Sequence, residues 1–527
     1  MRAFATLLEN LVFSPGRNAK LAHLVAWLRS NSGDSRGFGV AAVTGDLSLP
    51  HVKGKMIRDL AASASDETLF ALSYDFVGDL AETVSLLWPQ DNSHNDTDFA
   101  LGDIVRQIQG ATRKEAEAIM RFHLDRLDQT QRWALLKLAT GGLRVGVSAR
   151  LMRIALAQAF NQKVEDIEEI WPLLSPPYEP LFDWLEGRAM RPKSDGKAVF
   201  KPLMLANPLE EADRHKLALG DYQIEWKWDG ARVQLVSAEE GVRLFSRSGD
   251  DISAAFPEMV IDPSFKGVLD GELLAGTPAS LGSFNDLQQR LNRKKPSGKF
   301  IKENPVFIRC YDILMDGTQD LRHLPLQQRR VMLETLMGTI EDERLDLSEM
   351  ITADRWEALD EMRTNCRANS LIEGVMLKQK SSSYQLGRIK GQWYKWKRNP
   401  FYADLVIMYA QRGHGKRSSK YSDFTFGAWQ ETEDGRVIVP VGKAYSGFTD
   451  AELQKLDKFV RDHTIAKFGP VREVEQKLVI EAAFDSIHHS SRHKSGVAMR
   501  FPRFHAIRWD KDPEEADTLE SLRALIS

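Results

Sequence analysis

The chain changes its hydrophobic period partway along, and that change decides what kinds of core it can build. Up to about residue 185, apolar residues recur three and four apart in "ATLLENLVF", "NAKLAHLVAWLRS", "RKEAEAIMRFHLDRLDQTQRWALLKLA" and "SARLMRIALAQAF". That spacing lines one face of an α-helix. From about residue 221 the apolar runs shorten or alternate between turn signals, in "YQIEWKW", "ARVQLVS", "VRLFSR", "GVLDGELLAG", "PVFIRCYDIL" and "IEGVMLKQK". These read as strands, with the helical "LQQRRVMLETLM" among them. After "WYKWKRNP" strands resume in "DLVIMYAQRG", "DFTFGAWQE" and "RVIVPVGKAYSG", with "EDG" as a hairpin turn. One helix, "DAELQKLDKFVRDH", precedes the last strands, "KLVIEAAFDSI" and "VAMRFPRFHAIRW". The order implies an all-α domain, then a mixed α+β domain, then a small β-barrel. The aperiodic "GRAMRPKSDGKAVFKPLMLANP", rich in Gly, Pro and Lys, reads as a linker. There is no internal repeat or low-complexity segment.

Composition narrows the class. At 527 residues the chain has room for about three domains. No apolar run approaches the roughly 18 to 20 residues that would span a bilayer, and "MRAFATLLENLVFSPGRNAK" has no signal-peptide pattern. The expectation is no membrane association and a reducing interior compartment. The only cysteines, Cys310 and Cys366, exclude a four-cysteine zinc site or a disulfide framework. A net charge of -3 says little about partners, because acidic stretches such as "DPEEAD" mask basic faces elsewhere.

The stretch "IEWKWDGARVQL" sets Lys227 between two tryptophans in an apolar strand, where an ammonium is costly to desolvate. At neutral pH only about one free lysine amine in a thousand is unprotonated. Burial and nearby cations both lower that pKa. Lys395 and Lys397 of "WYKWK", folded back toward Lys227, would supply those cations and ligate phosphate oxygens. A lysine attacking a nucleotide α-phosphate forms a phosphoramide and expels pyrophosphate. Carboxylates are then needed to hold a divalent ion against the phosphate charge. Glu272 in "LDGELLAG" and Glu373 in "IEGVMLK" are the candidates.

"KxDG" alone would occur by chance in about one chain in fifteen of this length, so it decides nothing. The longer "ExKxDGxR" at 225–232 is much rarer, and it is followed in order by "SRSGDD", "DGE", "YDIL", "EGVMLK" and "KWK". This series resembles the covalent nucleotidyltransferases: DNA ligases, RNA ligases and capping enzymes. "LRVGVSARLMRIALAQAF" is similar to the signature of the helical DNA-binding domain of replicative-type ligases. "FKPLMLANPL" resembles the lead-in to their adenylation domain, and "AQRGHGKRSSKYSDFTFGAW" with "GKAYSGFTDAELQKL" their OB-fold domain. "MRFPRFHAIRWDKDPEEADT" resembles their last motif. Nearly the whole chain resembles the ATP-dependent DNA ligases, most closely bacterial and archaeal members.

That resemblance implies a helical DNA-binding domain over 1–190, an ATP-grasp-like α+β nucleotidyltransferase domain over 205–398 and an OB-fold β-barrel over 400–527. It implies sealing of 5′-phosphate/3′-hydroxyl nicks in DNA repair, replication or recombination, with ATP and Mg2+ or Mn2+ as cofactors. Lys227 would carry AMP. Glu225 would accept from the adenine amino group, Arg232 and Arg247 would contact ribose and phosphates, and Tyr311 would stack on adenine. Glu272 would lie near ribose and metal, Glu373 would help hold the metal, and Lys395 and Lys397 would bind phosphates. Arg500 and Arg503 of "RFPRF" would orient the pyrophosphate leaving group. The family's arginine six residues before the first lysine of "KxK" is displaced here to Arg388, seven before Lys395, leaving Arg388 or Lys390 for that role.

DNA contacts are expected from "TGGLRVGVSARL", where Gly141, Gly142 and Gly146 permit a turn and Ser148 would cap the following helix beside Arg144 and Arg150. They are also expected from Arg417 and Lys420 in "RGHGKRSSKY". Both stretches also read as ordinary charged loops. His489 and His493 are four apart in "HHSSRH", a zinc-compatible spacing on a helix, although the Ser and Arg content suits a solvated loop. An NAD-dependent ligase would carry a nicotinamide-binding segment and zinc cysteines. An RNA ligase or capping enzyme would lack the helical domain and "RFPRF". A non-catalytic DNA-binding descendant would have lost the lysine or the carboxylates. The expectation is a monomer acting on nicked duplex DNA in the cytoplasm, associated with the nucleoid. DNA-repair helicase or nuclease partners leave no mark in the sequence.

Overall fold

The computed structural model describes residues 1–77, 79–89, 98–193, 196–261, 265–366, 371–413, 420–433, 435–490 and 493–526. It divides into two units, one of Met1–Lys193, Ala410–Ser422 and Ala451–Val474, the other of Ser194–Tyr409, Asp423–Asp450 and Glu475–Ser527.

Helices build most of the first unit. In Arg2–Phe13 the buried residues are Phe4, Ala5, Leu7, Leu8 and Leu11, and in Leu101–Gly110 they include Leu101, Ile104, Val105 and Ile108. This is the stripe of a helix with one face in a core. Polar caps set several starts. Thr112 and Glu115 form a reciprocal capping box ahead of Arg113–Arg126, and Ser148 accepts from the Leu151 N–H ahead of Ala149–Ala159. Among the described residues no helix is long and apolar enough to cross a membrane. The unit also takes in the hairpin of Thr464–Phe468 with Val471–Val474 and most of the helix Asp450–Asp462, where Asp457 accepts from the Tyr421 N–H at 2.8 Å.

Two sheets organise the second unit. One runs Met350–Ile351, Tyr222–Trp228, Ile372–Gln379, Trp393–Lys397, Asn207–Pro208. The other runs Leu345–Leu347, Val306–Asp316, Gly267–Thr277, Ala231–Ala238, Gly241–Ser246. The helix Leu326–Met337 is tied to the second sheet by the fully buried pair Arg329 and Asp312, at 2.8 Å. Further on, the pairings Phe401–Arg412 with Val479–Phe484 and Val479–Phe484 with Arg503–Arg508 make a curled sheet.

Three sequence readings need correcting. The second half of the supposed linker is core, since Val199, Phe200, Leu203 and Met204 are buried and Asn207–Pro208 pairs with Trp393–Lys397. Its apolar residues lack a period because the segment is extended and irregular. The final "VAMRFPRFHAIRW" is two strands, Val497–Arg500 and Arg503–Arg508, broken at Phe501, which has φ +50 ahead of Pro502. His489 ends the strand Ser486–His489, so it and His493 do not share a helix face.

Candidate active site

Register places the lysine. Lys227 pairs with Gly374 and Glu225 with Met376, while across the other edge of Ile372–Gln379, Gly374 pairs with Lys397 and Met376 with Lys395. Paired positions share a face of the sheet, so Glu225, Lys227, Lys395 and Lys397 stand together. Gly374 has φ +144, and a Cβ there would lie 2.2 Å from the Trp396 carbonyl oxygen.

Two bulges lie beside the site, and the one at Glu373 adds a residue that simple alternation would have turned away. The register slips by one between Ile372 and Gly374, leaving Glu373 as the extra residue. In the other sheet Gly271 pairs with Cys310 and Asp270 with Asp312, leaving Tyr311 extra. A bulge re-aims its side chain, and both residues face one cavity of about 490 Å³. Apart from Arg388 and Arg503, every residue expected to contact nucleotide or metal lines that cavity: Glu225, Lys227, Arg232, Arg247, Glu272, Tyr311, Glu373, Lys395, Lys397 and Arg500.

The charges are tightly arranged. Lys227 donates to Glu373 Oε2, with Lys397 Nζ 3.5 Å from the same oxygen and Arg500 3.7 Å from Oε1. Burial would raise the Glu373 pKa, but Lys227 and Lys397 outweigh it and hold the carboxyl down at about 2. Glu272 behaves in the opposite way. Burial pushes it up to about 7, against the more modest pull of Lys227 and Arg232. Its carboxylate has no hydrogen bond or ion pair among the described residues. The Lys395 amine is lowered by burial, then by Lys227 and Arg388. Arg232 belongs to the wall, with two bonds to the buried Asp270 (3.1 and 2.7 Å) and one to the Met204 carbonyl (2.7 Å). Arg500 donates to Asp229 and lies 4.1 Å over the Phe284 ring.

Comparison with known proteins gives the family. Residues 203–397 match the family model of the ATP dependent DNA ligase domain, and residues 417–511 match the ATP dependent DNA ligase C terminal region. The chain is 30% identical to a probable DNA ligase of Koribacter versatilis, covering 99% of this chain and 95% of that one. The chain belongs to the ATP-dependent DNA ligases. It is also 32% identical to DNA ligase 1 of Korarchaeum cryptofilum, over 81% of this chain and 78% of that one. The solved structure Pmar-Lig_PreS3 shares the fold, with TM-score 0.60 at 16% identity over 96% of this chain and 99% of that one.

Several residues of this ligase site were not singled out from its sequence. Asp270 accepts from Arg232, Tyr311 (3.2 Å) and Tyr384 (2.6 Å). Asp485 takes Lys397 at 3.0 Å and Arg503 at 3.1 Å, so Arg503 stands beside the cavity rather than in it. Lys378, the last residue of "EGVMLK", lies against Glu225 at 3.0 Å. Asp229, Asp270 and Lys378 lie inside the quoted "KxDG", "DGE" and "EGVMLK", but no partner visible in the sequence suggested a role for them. Of Arg388 and Lys390, Arg388 is the one whose charge acts on Lys395.

In the helical unit Arg144 is exposed with φ +46, and Arg150 Nε lies 3.6 Å from Glu168. Lys420 is half-buried and its carbonyl accepts from the Gly413 N–H at 3.0 Å. Arg417 lies outside the described residues. Among the described residues no group of three or more His, Cys, Asp or Glu gathers as a metal site. Glu272 and Glu373 nevertheless fit a hard divalent cation, which commonly takes one or two carboxylates and completes its shell with phosphate oxygens and water.

Proposed function

We propose that Lys227 is the nucleophile that takes AMP from ATP, after which AMP passes to the 5′-phosphate of a DNA nick and the adjacent 3′-hydroxyl displaces it. The observation that carries this is the cluster of Lys227 with Glu373, Lys395, Lys397 and Arg500 in one cavity, of a size suited to a nucleotide. Attack requires the free amine, so Lys227 must first give up its contact with Glu373. Lys395 and Lys397 bind the phosphates, with Arg388 behind them. Arg500, and Arg503 through Asp485, orient the departing pyrophosphate. Glu225 takes the adenine amino group, Tyr311 stacks on the base, and Arg232 and Arg247 serve the ribose and phosphates. Glu272 and Glu373 would hold Mg2+ or Mn2+, which would neutralise phosphate charge during the transfer.

Residues 1–190 are the DNA-holding domain, touching backbone phosphates through Arg144 and Arg150. Residues 205–398 are the adenylation domain, and 400–527 an OB-fold barrel with Lys420 and Arg417 toward DNA. The enzyme acts as a monomer on nicked duplex DNA, in the cytoplasm with the nucleoid. Intact mass after incubation with ATP and Mg2+ should rise by one AMP, and a nicked duplex should discharge it. Lys227→Ala should abolish the gain. A mutant that still gained AMP would refute the assignment.

A further inference from the structure

In the helical unit two arginines share a carboxylate and bond to it with neither. Arg150 and Arg153 stand one turn apart on the helix Ala149–Ala159, and Nε of each lies 3.6 Å from Oε1 of Glu168 on the helix Val164–Ile170. At that distance the charges act on one another without a hydrogen bond. Glu168 Oε1 and Arg153 Nε are buried with no hydrogen-bond partner among the described residues. Other pairs of this unit are closed, with Arg191 donating to Asp166 at 2.9 Å and Arg36 to Glu186 at 2.6 Å. The Glu168 side chain is 5% exposed, while those of Arg153 and Arg150 are 22% and 48% exposed. Water therefore reaches the arginines and hardly reaches the carboxylate. Burial raises the Glu168 pKa, against the pull of Arg153 and then Arg150.

A contact that served only to fasten two helices would close to hydrogen-bonding distance, because a buried carboxylate without hydrogen bonds is costly. The open geometry suits another role. Arg150 sits in the first turn of its helix, just after Ser148, where backbone N–H groups favour an anion. A guanidinium binds phosphate through paired N–H donors. The Trp171 ring, with its centre 5.3 Å from the Arg153 guanidinium, supports that charge at the surface. Resting on the reading of the loop before Ser148 as a DNA contact, we propose that Glu168 stands in for a DNA phosphate. It holds Arg150 and Arg153 in the free protein, surrenders them to the backbone of a bound duplex, and so moderates the grip of the helical unit. Arg153 joins Arg144 and Arg150 as a phosphate contact. Surrender leaves Glu168 a buried charge without its partners. That cost weakens binding to every duplex alike, since backbone contacts carry no base information.

The test measures equilibrium binding of the full-length protein to a fluorescent nicked duplex over a range of salt, with the thermal midpoint as a check on folding. Glu168→Gln keeps the shape of the side chain and removes its charge. It should bind about 5-fold more tightly, the scale of one ion pair that no longer competes. Its slope of log affinity against log salt should steepen by about 0.9, the contribution of one phosphate. An intact duplex should show the same gain. Arg153→Gln should weaken binding and flatten the slope in the wild type, and should cancel most of the gain in the Glu168→Gln background. Unchanged or weaker binding by a Glu168→Gln protein with an ordinary midpoint would overturn the proposal and leave Glu168 a helix fastener. So would an Arg153→Gln protein that keeps the wild-type slope, a result that decides the matter even where Glu168→Gln does not fold. Failure of the DNA-contact reading itself would look different, because Arg144→Ala would then leave the slope unchanged as well.

Discussion

Arg132 in the helical unit and Lys227 between the two sheets are both charges drawn out of water, and their surroundings differ. Arg132 is 2% exposed and donates to the carbonyls of Leu124 (2.6 Å), Trp88 (3.3 Å) and Pro89 (3.1 Å). It satisfies carbonyls at two helix ends that would otherwise lack donors. Around Lys227 the same residue types crowd one cavity with capacity to spare: Glu272 has no partner among the described residues, and Glu373 is shared by three cations. A buried charge with all its bonds made holds a scaffold together. One with bonds left over, facing a cavity, is available to a ligand.

The largest effect should come from breaking the frame that separates these cases. Gly374→Val places a Cβ against the Trp396 carbonyl at a positive φ and should undo the bulge that aims Glu373. AMP loading should fall by about 1000-fold or more, since misplacing a reacting group by about 1 Å can cost 100-fold and here two groups shift. A variant that loads AMP normally would show that the bulge does not set the site. Next is Arg500→Ala, which should slow AMP loading by about 100-fold, the scale of one lost electrostatic contact to the reacting phosphates. Sealing of a pre-adenylated nick should be spared. Equal loss in both steps would move Arg500 from pyrophosphate orientation to structure or DNA binding.

The helical unit was the more legible region, because one stripe of apolar residues and a cap such as Ser148 suffice to define each helix. The lysine strand and its carboxylates were legible as types and order. Their convergence was not. Glu373 reaches the cavity only because it is the extra residue of a bulge, and a period-two reading of its strand turns it away. Asp270 and Asp485 acquire roles from partners far along the chain, Tyr384 and Lys397 among them. The buried half of the linker escaped because an extended segment folded against a sheet has no period of its own.

A smaller effect should separate stability from chemistry within the helical unit. His123 is buried, with Nε2 3.2 Å from Gln107 Oε1 and its ring edge-on to Phe99 and Phe122. Burial, helped by the charge of Arg126, lowers its pKa to about 4. The unfolded chain takes up the proton near pH 6.5 and the folded one only near 4, so stability falls as pH drops through that window. The loss should reach about 2 kcal/mol at pH 5. Denaturant titrations of His123→Gln should show a flatter dependence between pH 7 and pH 5 than wild type, and an unchanged slope would remove His123 as its cause.

The smallest effect concerns the loop that ends at Ser148. Gly141 (φ +68), Arg144 (φ +46) and Gly146 (φ +67) all take left-handed backbone, and the helix Ala149–Ala159 starts immediately after Ser148. Such a turn can bring arginines and helix N–H groups close to a phosphate backbone. Each phosphate neutralised adds about 0.9 to the slope of log affinity against log salt. Arg144→Ala should therefore lower the salt slope for nicked duplex by about 1. Arg150→Ala should lower it too, with Glu168, 3.6 Å away, competing for that arginine. Sequence preference should not change, since backbone contacts carry no base information. AMP loading of Lys227 should be untouched, because these arginines do not line the nucleotide cavity. An unaltered salt slope in the double variant would take this loop off the DNA. A parallel fall in AMP loading would erase the contrast between the two units, by making arginines of the helical unit part of the chemistry.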